Sequence, residues 1–268
     1  MAGAAVCLGS VSLPSQAQFE RPALAAVPMP LEIRPDGQWR GLVGAGLTAS
    51  GGNTRSLGVN LVADGVRATE TSRLSMSARA LHGQSEVNGE RTTTADQWRL
   101  GGRHDWGRSQ SPLYLFANTS AERDQQRQLG LRATTGAGVG YRRVNGPDDR
   151  WEVFGGIGWR TDRFTGAGAQ IGGKLRRHYD TAEALIGEES AHRLSENTVW
   201  QQRVMLLPSL KGGGDFRVVA ESVLSVAMSR HLVLTLSVSD RYDRQASAPI
   251  KRNDVLVFTG INLRVGAR

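Results

Sequence analysis

The chain has 268 residues, 39% of them hydrophobic and 22% charged, with 33 glycines and a formal net charge of +8. A mean hydropathy of -0.33 and the lack of any run near the roughly 20 apolar residues of a membrane-spanning helix exclude that class. Six Trp, four Tyr and six Phe spread among alternating runs exclude a disordered chain.

The basic balance would attract polyanions, yet the charges stand mostly singly at alternating positions, without a Lys/Arg cluster or a reader motif. No nucleic-acid partner is therefore expected. Arginines facing carboxylates inside a barrel, or lipopolysaccharide phosphate at its rim, account for the pattern better.

In chain order, residues 2–13 read as the apolar part of an export signal. Ser15-Gln16-Ala17 offers small residues for cleavage after Ala17, so residues 1–17 are assigned as a signal peptide. Its charged leading segment is missing, so either translation starts upstream of Met1 or the signal is weak. Cys7 is the only cysteine, which rules out an intramolecular disulfide. Ala4 stands where a lipoprotein acylation site would carry Leu, which disfavours that anchor. Pro22, Pro28, Pro30 and Pro35 break helix and strand alike, making residues 18–37 a periplasmic linker.

From Gln38 onward the texture becomes period-two alternation, the mark of strands with unlike faces. Strands are expected near 38–49, 54–68, 71–82, 92–106, 112–122, 130–143, 150–162, 182–194, 198–207, 215–229, 231–243 and 252–265. Leu232, Leu234, Leu236 and Val238, for example, alternate with Thr235, Ser237 and Ser239. A soluble sandwich alternates too. Here the polar face is mostly Gly, Ser, Thr, Asn and Arg, which suits a wet or ion-paired lumen. Trp98 and Trp106, and Trp151 and Trp159, fall on the apolar face eight residues apart. At about 3.4 Å per residue and about 40° of tilt that is about 20 Å along a membrane normal, near the spacing of two aromatic girdles.

The links fall into two classes: short ones such as Thr69-Glu70, and longer ones near 83–91, 123–129, 163–181, 208–214 and 244–251. The expected fold is an all-β, transmembrane, antiparallel up-and-down barrel of about twelve strands over 38–265, with both termini periplasmic. Residues 266–268 are an extension.

On the polar face Arg73, Arg79, Arg99, Arg103, Asp105, Arg132, Arg142, Glu152, Glu221, Arg241 and Asp254 form the candidate site. Two readings use the same residues. Buried charges are normally paired, so they can be a neutralising plug in which Arg241 pairs with Glu221 or Asp254. They can also line a constricted pore whose excess of Arg favours anions. Leu234 is read as lipid-facing near the bilayer midplane.

Gly136, Gly138 and Gly140 sit at period two with no helix following, so they make room inside a sheet and do not cradle a nucleotide. The five histidines show no metal-ligand spacing, and neither a cofactor nor enzymatic activity is expected. A barrel-type hydrolase is the third reading, with His82 and Glu86, or His178 and Asp180, as its only candidates.

Ser50-Gly51-Gly52-Asn53, Glu122-Arg123-Asp124, the run through Gly138, Gly140 and Tyr141, Arg241-Tyr242-Asp243 and Asn253-Asp254 together resemble the DUF481 family. These are the outer-membrane proteins often called salt-induced or YdiY-like. The resemblance spans about residues 41–265. It implies an outer-membrane barrel loosely associated with osmotic or salt stress, and supplies no catalytic residues. Such a barrel would have lipid, lipopolysaccharide and the outer-membrane insertion machinery as partners. The chain departs from barrels whose last strand ends on an aromatic residue: Val265 is followed by Gly266-Ala267-Arg268, and Phe258 is the last aromatic.

Overall fold

The computed structural model describes residues 33–267 except 51–53, 88–89, 109, 172–173, 212–213 and 245–251. The signal peptide at 1–17 and the linker up to residue 32 lie outside the described residues, as do Gly51, Gly52 and Asn53.

Among the described residues fourteen strands follow one another: β1 (Trp39–Ser50), β2 (Thr54–Ala68), β3 (Ser72–Val87), β4 (Glu90–Trp106), β5 (Leu113–Asp124), β6 (Leu129–Asn145), β7 (Asp149–Phe164), β8 (Ala169–Ile171), β9 (Lys174–Arg176), β10 (His178–Arg193), β11 (Thr198–Pro208), β12 (Phe216–Ala227), β13 (Leu232–Asp243) and β14 (Asn253–Gly266). All but β8 and β9 form one closed barrel in which each strand pairs with its neighbours in sequence and β14 closes on β1. The closed ladder satisfies the backbone groups of every wall strand without leaving an edge, which is what a barrel needs in a bilayer.

The period of two sets the two faces. In β7, Trp151, Val153, Ile157 and Trp159 are exposed while Glu152, Phe154, Arg160 and Asp162 are buried. In β12 the inner face also carries apolar groups, Val219 and Val223, beside Glu221. Met228, expected on this strand, falls beyond its end.

β1 begins and β14 ends at one rim, since Arg40 pairs with Gly266; this is the turn end, and the opposite rim is the loop end. The length contrast between the rims is smaller than the sequence pattern predicts. β3 and β4 run on to Val87 and start again at Glu90, because the ladder absorbs a register shift at Gly83/Gln84 and continues through Thr92 and Thr93. The segment near 123–129 likewise shrinks to a tight turn, where the Gln128 amide donates to the Gln125 carbonyl at 3.1 Å. The long connection after β7 is not featureless: β8 and β9 pair as a hairpin, entered through Gly166 and Gly168 at φ +62° and +96°. Glycine adopts that left-handed backbone without steric cost.

Gly266 and Ala267 take part in the closure. Gly266 belongs to β14, and the Ala267 amide donates to the Trp39 carbonyl at 2.9 Å. At Gly266 φ is +92° and a Cβ would lie 2.2 Å from the Trp39 carbonyl oxygen, so glycine is required where the last strand meets the first.

Candidate functional site

The lumen is filled by side chains in layers. Nearest the turn end, Arg73 on β3 donates through Nε to Asp105 on β4 at 2.6 Å and through both Nη atoms to Glu152 on β7 at 3.0 Å. Arg103 shares Asp105 at 2.6 Å and reaches Glu189 on β10 at 3.3 Å, where Arg203 from β11 also binds at 2.6 Å. The Tyr114 hydroxyl donates to Glu152 at 2.9 Å and accepts from Arg103 at 3.1 Å. Strands from β3 round to β11 are thus tied across the lumen. Fork-to-carboxylate pairs of this kind are the strong ones among protein hydrogen bonds.

A belt of Tyr114, Phe116, Phe154, Leu185, Met205 and Leu207 follows. The Arg103 guanidinium lies over the Phe116 and Phe154 rings at 4.6 and 5.1 Å, so the cation is shielded from above by aromatic faces.

Towards the loop end a second network begins. Arg132 on β6 binds Asp162 through Nε at 2.6 Å and Glu122 through Nη1 at 3.2 Å, and Arg99 also pairs with Glu122. Arg160 lies 3.3 Å from Asp162 and 2.7 Å from Glu183, which Arg217 on β12 holds at 2.7 Å. Arg79 grips both oxygens of Asp64 at 2.6 Å. Two small cavities, of about 40 and 30 Å³, remain beside Arg132 and beside Arg79.

The polar face of the sequence therefore supplies Arg73, Arg79, Arg99, Arg103, Asp105, Arg132, Arg142 and Glu152 to these layers. Glu221 is buried, but its cross-strand neighbours are Arg203 and Ser239. Arg241 stands opposite Val219 and Asp254, the latter one of the partners expected for it. The side chains of Arg241 and Asp254 lie outside the described ones.

Of the motif residues, Glu122 and Asp124 are buried inward and Arg123 is exposed. Gly140 is buried, Gly138 is half-buried and Tyr141 is exposed. Tyr242 packs on Phe216 with ring centroids 5.5 Å apart, Asp243 stands opposite Arg217, and Ser50 ends β1 opposite Ser56. Trp98, Trp106, Trp151 and Trp159 are all exposed. Trp106 and Trp151 stand by the turn end, where Trp151 Nε1 donates to Glu188 at 2.9 Å, and Lys211 lies 5.4 Å from the Trp159 ring. Leu234 is exposed, but it is two residues from the turn-end start of β13, which moves it from the midplane towards a rim.

Sequence reasoning missed the partners that complete the layers: Asp64, Asp162, Glu183 and Glu189 among the acids, and Arg150, Arg160, Arg203 and Arg217 among the bases. Their parity was readable; their pairing needs the cross-strand register. The belt was missed because β5 opens with Leu113-Tyr114-Leu115-Phe116, apolar on both faces and therefore without alternation.

Among the hydrolase candidates, His82 is exposed and the Glu86 side chain lies outside the described ones. His178 Nε2 and Asp180 are 2.8 Å apart, and the Thr161 hydroxyl donates to Asp180 at 2.7 Å. That hydroxyl reaches the carboxylate and not the imidazole, whereas a nucleophile needs the imidazole as its base. Just outside the barrel, hydrogen bonds from the Arg40 side chain and the Gln38 amide hold the Asp36 carboxyl well below the usual carboxylate range.

The model of one protein family, described as "Protein of unknown function, DUF481", matches residues 43–264. The chain belongs to the DUF481 family. No curated protein matches this DUF481 chain. Solved structures similar to it include the translocator domain of the autotransporter NalP from Neisseria meningitidis, at 16% identity and a TM-score of 0.49, covering 86% of this chain and 88% of that one. An outer membrane channel from Pseudomonas putida F1 is 10% identical with a TM-score of 0.48, covering 88% and 97%. The NanC porin is 9% identical with a TM-score of 0.44, covering 85% and 97%.

The DUF481 glycines on β6 set how closely the lumen packs. A Cβ at Gly140 would lie 2.1 Å from Tyr114 Cζ, and one at Gly138 would lie 2.8 Å from Phe116 Cζ and 2.2 Å from the Gly155 carbonyl oxygen. Gly140→Val is therefore expected to push the Tyr114 ring off Glu152 and to destabilise the barrel by about 1–3 kcal/mol, the usual cost of overpacking. Equilibrium urea unfolding in detergent measures it.

Proposed function

We propose that the protein is an outer-membrane barrel with a closed lumen, serving the cell envelope structurally and not as a solute channel. The observation that carries this reading is the pair of Arg–carboxylate networks across the lumen, whose members Arg103, Asp105 and Glu152 in one and Arg160 and Asp162 in the other have side chains no more than 4% exposed. An open pore would hydrate them.

The exposed apolar wall, from Ile157 on β7 to Ile261 on β14, supports residence in a bilayer. A barrel with an apolar outer band flanked by aromatics is the outer-membrane solution. In this placement both chain ends and the short turns lie on the periplasmic side, and the hairpin β8–β9 is outside. The role in osmotic or salt stress rests on the family resemblance.

The second reading, a narrow anion-selective channel, draws on one observation: near the turn end Arg73, Arg103, Arg142 and Arg150 gather around the carboxylates Asp105, Glu152 and Glu189. Planar-bilayer recording of the purified barrel separates the two. No stable conductance step is expected in 1 M KCl. Reproducible ohmic steps with anion preference would replace the closed-barrel reading with the channel.

A further inference from the structure

At the turn end the lumen opens into a cavity of about 220 Å³ whose walls include Arg73, Arg142, Arg150 and Glu152, with Ile33 and Pro35 at the apolar side. Its electrostatics are unbalanced. Glu152 already accepts both Nη atoms of Arg73 and the Tyr114 hydroxyl. Yet Glu152 is also the carboxylate facing Arg142, at 3.9 Å, and Arg150, at 3.6 Å.

Neither of those arginines is an exposed surface cation. Their side chains are 9% and 12% exposed. Arg142 spends Nη1 on the carbonyls of Arg108 and Ser111 and rests on the Tyr114 ring at 4.6 Å. The buried Nη1 of Arg150 has no hydrogen-bond partner. A buried donor without an acceptor, on a cation that shares its counter-ion, is costly unless something anionic joins it.

We propose that this cavity is a binding site for phosphate, free or as a small monoester, with Arg142 and Arg150 as its ligands. Two planar forks in excess of carboxylate match a doubly charged tetrahedral anion better than a monovalent one. Phosphate carries a charge of about -1.5 to -2 near neutral pH. Arg73 and Glu152 form a floor that is already neutralised, so the field of the site comes from the other two guanidiniums. The Ile33 and Pro35 side accepts the carbon substituent of a monoester. The lining includes Thr69, Gly107, Gly146 and Pro147 from the turns between strands, which places the cavity at the turn-end rim, where a soluble phosphate is the occupant. The assignment is independent of whether the lumen conducts.

The test is isothermal titration of the purified full-length barrel in detergent with inorganic phosphate and, separately, glycerol phosphate, at ionic strength matched with chloride. Saturable binding to the wild type by either ligand is expected, tighter for glycerol phosphate if the natural ligand is a monoester. Arg142→Gln/Arg150→Gln should weaken it at least tenfold, and Arg150→Lys, which keeps the charge without the fork, should weaken it less. Phosphorus NMR line broadening of the wild type gives the same answer without a variant, should the double substitution not fold. Absence of saturable binding to the wild type overturns the site. So does binding unchanged in a folded Arg142→Gln/Arg150→Gln barrel, or equal binding of acetate.

Discussion

Glu152→Ala is expected to destabilise the barrel by about 3–5 kcal/mol, the range seen when one partner of a buried ion pair is removed. Glu152 is 1% exposed and holds Arg73 at both Nη atoms and the Tyr114 hydroxyl, with Arg142 and Arg150 within 4 Å. Its loss leaves three guanidiniums facing one another, with Asp105 and Glu189 as the carboxylates left in that layer. Glu152→Gln keeps the shape and an acceptor for Tyr114, so part of the effect should return. Asp149→Ala removes the hydrogen-bond partner of His192, a contact whose side chains are 36% and 60% exposed, and should cost about 0–1 kcal/mol as surface pairs do. The readout is equilibrium urea unfolding in detergent, backed by the temperature at which the compact gel band converts to the unfolded one. If Glu152→Ala and Asp149→Ala behaved alike, the lumen would be hydrated and the closed-barrel reading would fail.

The same residues show what the sequence could and could not disclose. Strand number, the order of the wall and the inward position of Arg73, Arg103 and Glu152 all follow from period-two alternation, a local property of the chain. Which carboxylate meets which arginine is not local. Arg73 and Glu152 are 79 positions apart, and their contact follows from the width of the lumen and from the side-chain lengths that bridge it. Adjacent strands make the same point: the β12–β13 register places Ser239 opposite Glu221 and Arg241 opposite Val219, an offset that alternation along either strand does not disclose. The aromatic belt was hidden for a different reason. Where both faces of a strand are apolar, as in the first half of β5, alternation vanishes, and only the period-two glycines of β6 hinted that something bulky stood opposite. Leu234 was assigned to the correct face and the wrong depth, because face depends on parity while depth depends on where the strand begins.

Depth along the wall is what the largest outward substitution tests. Ile157 is 67% exposed near the centre of β7, flanked in register by Ala137 and Ala184, so its side chain projects from a wall of small neighbours with nothing in the protein to cover it. Ile157→Arg should cost about 2–4 kcal/mol, the penalty for an arginine on the lipid face at the bilayer midplane. Val144 is also outward but lies at the turn end of β6 opposite Trp151. There the guanidinium reaches the headgroups, and Val144→Arg should cost only about 0–1 kcal/mol. Folding of each variant into phosphatidylcholine vesicles, followed by urea titration, measures the difference. A soluble barrel would treat both arginines alike, since both would sit in water, and neither would be unfavourable. A large cost at 157 with almost none at 144 requires an apolar medium centred on the middle of the wall; equal costs would remove the membrane from the description of this fold.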